Sequence, residues 1–262
     1  MTDWLAVCRD AVEDVRAVLA DLPTRVEREP VLGQGHGGDE TTAVDGAAEA
    51  AILARFRDLG VAIVSEEAGR VGSGSPLVVV DPIDGSLNAK RGIPFFSVSL
   101  AVAEGERMQD VVFGYVYDFG SGEEWVGRRG GGATLNGEPL GSVRPKERIE
   151  ILSFEATRTS LIAAHAPAFV ELAYRLRIMG SLALSLCHLA AGRVDAVCSL
   201  KAARSVDIAA AQLLCRELGI AIELFDDPRP FGEAELDLEG RSRVAAAGTA
   251  DLCRQVAAAL SA

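Results

Sequence analysis

Two carboxylates three residues apart, Asp81 and Asp84, close the β-branched run Val78-Val79-Val80. Side by side they repel, and neither ionises comfortably without a cation. Oxygen-only donors around a tight turn suit Mg2+ or Mn2+ rather than zinc. Pro82 removes a backbone donor and fixes φ, so the strand's ladder is expected to end there. Gly85 lets the backbone fold back closely, and Ser86 reads as the N-cap of a short helix. The amides of Gly85 and Ser86 would then face an anion. A divalent cation beside an anion hole is the equipment of phosphate chemistry. The plainer reading of Asp-Pro-Ile-Asp is an Asx-turn before a capped helix, and on these four residues alone both readings stand.

Other acids sit at the ends of predicted elements. Glu66 and Glu67 follow a strand over 61–64, where two acids are ordinarily a solvated terminus. Asp39 follows a glycine-rich, flexible loop over 33–38, and Asp45 lies in the first turn of a helix over 44–59. A loop acid and a helix-dipole acid account for them equally well. Asp207 opens a helix after a strand over 194–200, an unremarkable place for an acid. Gly180-Ser181 precedes a helix over 182–191 that Ser181 can cap. Lys201 and Arg204 lie close to Asp207, each equally readable as a surface cation. His188, between apolar neighbours, reads as a core or interface histidine, and His36 as solvent-exposed.

The octet Asp81-Pro-Ile-Asp-Gly-Ser-Leu-Asn88 is more specific than its parts. Seven specified positions match by chance on the order of once in 10⁸ to 10⁹ positions at average residue frequencies. It resembles the first signature of the inositol monophosphatase family, the phosphatase superfamily that includes fructose-1,6-bisphosphatases. Gly92-Ile-Pro-Phe-Phe-Ser97 looks most like the archaeal dual-specificity inositol monophosphatase/fructose bisphosphatase branch. Gly132-Ala-Thr-Leu-Asn-Gly137 and Asp207 followed by small residues extend the likeness. One departure is the missing Trp of the second signature, where Arg204-Ser205-Val206 stands instead.

That resemblance implies a set of roles. Glu66, Asp81 and the Ile83 carbonyl would hold one metal, and Asp81, Asp84 and Asp207 a second, while Asp39 could hold a third, mobile one. The cofactor is then Mg2+, two or three ions, with Mn2+ as its substitute. Glu67 would support Glu66 from behind. Asp45, Ser86 and Glu66 would serve the attacking water. Gly85, Ser86, Gly180 and Ser181 would bind substrate through backbone or hydroxyl, and Lys201 and Arg204 would meet a second phosphate. No basic residue is expected to neutralise the metal carboxylates. The implied reaction is hydrolysis of phosphate monoesters of small polyols or sugars, inositol monophosphate and fructose 1,6-bisphosphate, by a homodimer. The alternatives are a nucleotide 3′-phosphate or NADP phosphatase of the same superfamily, or a non-catalytic regulatory relative.

The whole chain sets outer bounds. At 262 residues and 49% hydrophobic it is long enough for one or two packed units. A net charge of −12 argues against a nucleic-acid partner, though bound divalent ions would reverse the sign locally for a phosphate. No apolar run approaches membrane length, and no signal pattern opens the chain, so a cytoplasmic location away from membranes is expected. The five cysteines, scattered and odd in number, fit reduced and mostly buried thiols. Only three lysines occur, with arginine supplying the other cations, which reads as codon bias or as adaptation to salt or heat.

The elements that must position these residues follow from periodicity. A helix over 4–22 is amphipathic. Strands over 96–103, 111–117 and 124–127, separated by glycine turns, read as antiparallel hairpins. A polar stretch over 141–147 marks a boundary between an α+β unit, residues 1–142, and an α/β unit, residues 143–262. Beyond it come a strand over 149–154, a broadly helical stretch over 161–176 broken at Pro167, strands over 222–224 and 244–247, and a helix over 252–260. The expected fold is α/β; the family resemblance implies an α+β layered sandwich with alternating helix and sheet layers. The site would lie between the units.

Overall fold

The computed structural model describes residues 2–142, 146–155 and 158–261. Helix α1 (Trp4–Asp21) buries Cys8, Ala11, Val12 and Val15, the three- and four-residue stripe of its sequence. A short helix α2 (Arg25–Arg28) and a hairpin of β1 (Val31–Gln34) and β2 (Glu40–Thr42) lead into α3 (Ala43–Phe56). The hairpin takes part of the stretch expected to be a flexible loop. β1 is exposed along its length, so no alternation of burial announced it.

Eight strands then build one sheet: β3 (Ala62–Ser65), β4 (Gly69–Val71), β5 (Leu77–Asp84), β6 (Ser97–Ala103), β7 (Val111–Asp118), β8 (Glu124–Arg128), β9 (Gly132–Leu135) and β10 (Glu138–Pro139). Helix α4 (Ser86–Arg91) interrupts them. The sheet order is β10-β9-β8-β7-β6-β5-β3-β4, antiparallel except where β3 runs parallel to β5.

The end of β5 corrects the sequence reading. Pro82 was expected to stop the ladder, yet the strand continues to Asp84. Its partners pass from Asp81↔Ser99 to Asp84↔Ser97, three steps on β5 against two on β6. Pro82 falls in this bulge, where its missing N–H costs no regular ladder bond. In a regular strand, residues three apart face opposite sides of the sheet. The bulge is what lets Asp81 and Asp84 share one cleft.

A second correction concerns the next turn. Gly85, at φ +92°, is the N-cap of α4, and Ser86 is its first helical residue. A Cβ at position 85 would stand 3.1 Å from the carbonyl oxygens of Phe95 and Gly180. Glycine is needed here for space as well as for conformation.

The second sheet, ordered β12-β11-β13-β15-β14, lies wholly after the expected boundary. Its strands are β11 (Ile149–Glu155), β12 (Ala173–Arg177), β13 (Ala196–Ser199), β14 (Ala221–Leu224) and β15 (Val244–Ala247). The boundary itself falls partly on residues 143–145, outside the described residues. Helices α5 (Thr159–His165), α6 (Leu182–Ala190), α7 (Ser205–Glu217) and α8 (Ala250–Leu260) complete the chain. The stretch read as helical over 161–176 is so only to His165. A 3-10 turn over Ala166–Phe169 follows Pro167, and then the edge strand β12. Tyr174, Arg175 and Arg177 of that strand are all exposed, so it carries no alternating signature.

These elements stack in five layers. α1 and α3 cover one face of the large sheet through Val78, Val80, Val98 and Leu100. α6 and α7 fill the space between the sheets against Val79, Ala101 and Val197. α8 closes the far face of the small sheet against Ala245 and Ala247. Helix α7 lies unusually close to the large sheet: a Cβ at Gly114 would come 2.4 Å from the Ala210 carbonyl oxygen. That tight seat fixes the N-terminus of α7, where Asp207 stands. All five cysteines are buried and free, as expected. No helix among the described residues is long and apolar enough to cross a membrane.

Candidate active site

The parallel pairing of β3 and β5, with Ser65 opposite Val80, delivers Glu66 and Asp81 side by side. Helix α7 brings Asp207 to them from the far side of the chain. Carboxylate oxygens of Glu66, Asp81 and Asp207 lie within 4.8 Å of one another. They stand in a cleft of about 480 Å³ that Asp39, Asp45, Ile83, Asp84, Gly85, Ser86, Gly180, Lys201 and Arg204 also line. Of the expected site residues only Ser181 does not line it.

Ser181 is buried behind the cleft instead. It caps α6 by accepting from the Leu184 amide at 3.2 Å, and its hydroxyl donates to Asp84 Oδ2. The Ala183 amide reaches the same oxygen at 2.8 Å. Asp84 is thus held by the start of α6 and stands beside the three-carboxylate cluster, not inside it. The Ile83 carbonyl accepts from the Ser86 hydroxyl at 2.9 Å. Asp45 shares a capping box with Thr42, whose hydroxyl and amide donate to Oδ2 at 2.5 and 3.2 Å. Its Oδ1 is buried and has no hydrogen-bond partner among the described residues. A buried acceptor left free in a polar cleft is where a water or ligand belongs.

Arg204 overturns one expectation. The residue is only 6% exposed, and its guanidinium stands among the carboxylates that were thought to have no basic neighbour. Nη2 lies 2.6 Å from Glu66 Oε1 and 2.9 Å from Asp207 Oδ1. Nη1 is 3.7 Å from Asp39 Oδ2, an oxygen that Lys201 Nζ also reaches at 2.8 Å. The Arg204 amide donates to Asp207 Oδ2 at 2.7 Å, which completes a capping box. Neither cation, as placed, projects freely for a second phosphate.

Sequence reasoning missed the residues that support the cleft. Glu155, at the end of β11, accepts from the Gly180 amide at 2.8 Å and from the hydroxyls of Ser153 and Ser185 at 2.8 and 2.7 Å. It carried the same signal that marked Glu66, an acid closing an apolar strand. Glu49 holds the turn after β3 through Ser65, the Glu67 amide and the Ala68 amide. Asn88 Nδ2 donates to the Phe95 and Met179 carbonyls at 2.7 Å each, tying α4 to the Gly180 turn. Glu67 accepts from the Thr41 hydroxyl, as a residue supporting the loop behind Glu66 would.

Electrostatics single out the central cluster. Burial pushes Glu66 up to about 7, despite the lowering effect of Arg204. Burial also carries Asp84 to about 7, against the Ser181 hydrogen bond, and Asp81 well above its ordinary value, with Glu66 adding to the rise. Burial lowers and the Asp207 and Glu66 charges raise the Arg204 pKa, and the charges win. Acids this close together, with one guanidinium among them, favour protons or further cations nearby. An all-oxygen donor set of this kind fits a hard divalent cation.

Residues 5–261 match the profile of the inositol monophosphatase family. The chain belongs to that family. A fructose-1,6-bisphosphatase/inositol-1-monophosphatase of Archaeoglobus fulgidus is 33% identical over 248 residues, 94% of this chain and 93% of that one. One of the same description from Thermococcus kodakarensis is 35% identical over 219 residues, covering 83% and 82%. A solved inositol monophosphatase–fructose 1,6-bisphosphatase superposes with a TM-score of 0.86 over 98% of this chain and 100% of its own, at 27% identity. The layered fold is that of the inositol monophosphatase family, and the chain is a phosphatase. The acidic cluster agrees with the metal dependence of the family.

Proposed function

We propose that the chain hydrolyses phosphate monoesters of small polyols and sugars, inositol monophosphate and fructose 1,6-bisphosphate, with Mg2+ as cofactor. The observation that carries this reading is the convergence of Glu66, Asp81 and Asp207 in a cleft that also holds Asp84, Asp45 and Ser86. The relatives described above as acting on both substrates support it.

Glu66, Asp81, Asp84, Asp207 and the Ile83 carbonyl would hold the cations, with Asp39 as an outer donor. Bound there, divalent cations lower the pKa of a water and neutralise charge on the leaving oxygen. The chain's own residues supply the rest. The partnerless Oδ1 of Asp45 accepts a hydrogen bond from the attacking water, and the Ser86 hydroxyl completes its alignment. Amides at the Gly85–Ser86 turn take the phosphate oxygens. Glu155 and Asn88 hold the Gly180 turn at the substrate end of the cleft. The lining beyond the carboxylates offers few side chains to discriminate one alcohol from another, so breadth is expected.

Phosphate release with Mg2+ from inositol monophosphate, fructose 1,6-bisphosphate, a nucleotide 3′-phosphate and NADP tests the reading. The first two should turn over with kcat/KM values within about 10²-fold of each other. Turnover confined to the nucleotides would replace the substrate class, and undiminished turnover in excess chelator would remove the metal chemistry. The proposal extends to a homodimer, which light scattering on the purified protein checks.

A further inference from the structure

We propose that Arg204 is a built-in competitor of the metal: its guanidinium balances the carboxylate cluster in the metal-free enzyme and must leave when a divalent cation enters. The inference rests on the reading of the cluster as a cation site.

The geometry is specific. A single atom, Nη2, sits 2.6 Å from Glu66 Oε1 and 2.9 Å from Asp207 Oδ1, oxygens of two of the three cluster residues. A cation ligated by both oxygens at about 2.1 Å would need the space this nitrogen fills. A guanidinium cannot yield by losing its proton, unlike a lysine, so it can only move. It has room to move, because Arg204 borders the open cleft of about 480 Å³.

A plain structural ion pair would not need this arrangement. The helix cap is already made by the Arg204 backbone amide on Asp207 Oδ2, at 2.7 Å. The side chain adds longer contacts from Nε to both Asp207 oxygens, at 3.3 Å, and then reaches past the cap to Glu66. It also reaches the Gly37 carbonyl at 3.4 Å and Asp39 at 3.7 Å. One cation therefore ties α7, the turn after β3 and the Asp39 loop together. Its departure removes one tie on that loop, which the Gly37 amide and Arg241 still hold, and places a guanidinium at the cleft where a phosphate dianion arrives. Metal entry and substrate recognition are coupled through one side chain.

The test is Mg2+ titration by calorimetry into chelator-stripped wild type and Arg204→Met, a variant that keeps the apolar stem. The variant should bind Mg2+ at least tenfold more tightly, and its metal-free form should melt lower than wild type while its Mg2+-saturated form recovers. Equal or weaker Mg2+ binding by a folded variant would overturn the proposal. Should Arg204→Met not fold without metal, wild type carrying ¹⁵N-labelled arginine gives the answer. The Arg204 Nε–H, held by Asp207, should lose its exchange protection as Mg2+ is added, and unchanged protection at saturation sinks the idea. Failure of wild type itself to bind Mg2+ would instead remove the cation-site reading on which this rests.

Discussion

Glu49 and Glu155 are as deeply buried as the carboxylates of the cluster, 7% exposed each, yet they belong to a different kind of region. Each accepts three hydrogen bonds from hydroxyls and amides. Asp81 accepts one, from the Ile83 amide at 3.1 Å, and its remaining neighbours are mostly other acids. Glu66 has its arginine and little else. A buried charge surrounded by donors is part of the scaffold, whereas one surrounded by like charges is stable only with a cation. The same residue type at the same depth thus does two jobs, and the count of donors separates them.

Substitutions should break the two regions in opposite ways. Asp81→Asn removes a charge that its neighbours oppose and keeps the oxygen that accepts from Ile83. Metal-free protein should then melt no lower than wild type, while kcat falls by at least about 10²-fold. Asp84→Asn should match that loss of rate, with some loss of stability as well, since Oδ2 serves Ser181 and Ala183. Glu49→Leu should do the reverse. Stranding three donors, at about 1–3 kcal/mol each, costs at least about 3 kcal/mol of unfolding free energy, and Mg2+ affinity stays within a few-fold of wild type. Thermal melts paired with initial rates check all three. A stable but inactive Glu49→Leu would erase the distinction.

The raised pKa values give the comparison a pH dependence. Glu66 and Asp84 hold their protons to about 7 in the folded chain, against about 4 when unfolded. The folded state therefore binds protons that the unfolded state has already released between those values. Metal-free protein should be most stable near pH 4–5 and lose stability as pH rises through about 7. Mg2+ competes with those protons, so its affinity should climb over the same interval and the stability loss should vanish at saturation. Calorimetric melts at pH 5, 6, 7 and 8 with and without Mg2+ check this. A metal-free melting temperature that rises with pH would contradict the burial account.

How much of this was legible beforehand depended on whether the signal was local. Helix α1 announces itself by periodicity and the acids Glu66, Asp81, Asp84 and Asp207 by position at element ends, whereas the layered fold and the metal role of those acids come from the resemblance. The bulge at Pro82 does not announce itself, because proline says that a ladder bond is missing and not that the strand resumes. β1 and β12 were hidden by their exposure, since edge strands without a buried face carry no alternation. Arg204 reads in sequence as one more cation near a helix start. Its place among the carboxylates is created by α7 seating on Gly114, a contact between residues far apart in the chain. Glu155 is readable by the same rule as Glu66, an acid closing an apolar strand.

The smallest expected effect falls on Asp39, whose place is intermediate between the two regions. It lines the cleft, yet its side chain is 57% exposed and its strongest contact is the Lys201 ammonium at 2.8 Å. Burial of Asp39 raises its pKa, but Lys201 outweighs that and leaves the carboxylate below its ordinary range. It is therefore already charged and already partnered, with water to share the load. An exposed pair of this kind contributes about 0–1 kcal/mol to stability. The loop it sits on does not depend on it either, because Gly37 donates to the Glu66 carbonyl at 2.7 Å and accepts from Arg241. Asp39→Asn should leave the melting temperature within about 1–2 °C and lower kcat by less than about tenfold, with any loss recovered at higher Mg2+. A deficit as deep as that of Asp81→Asn, and not recovered by added metal, would move Asp39 out of the mouth of the cleft and into the catalytic centre.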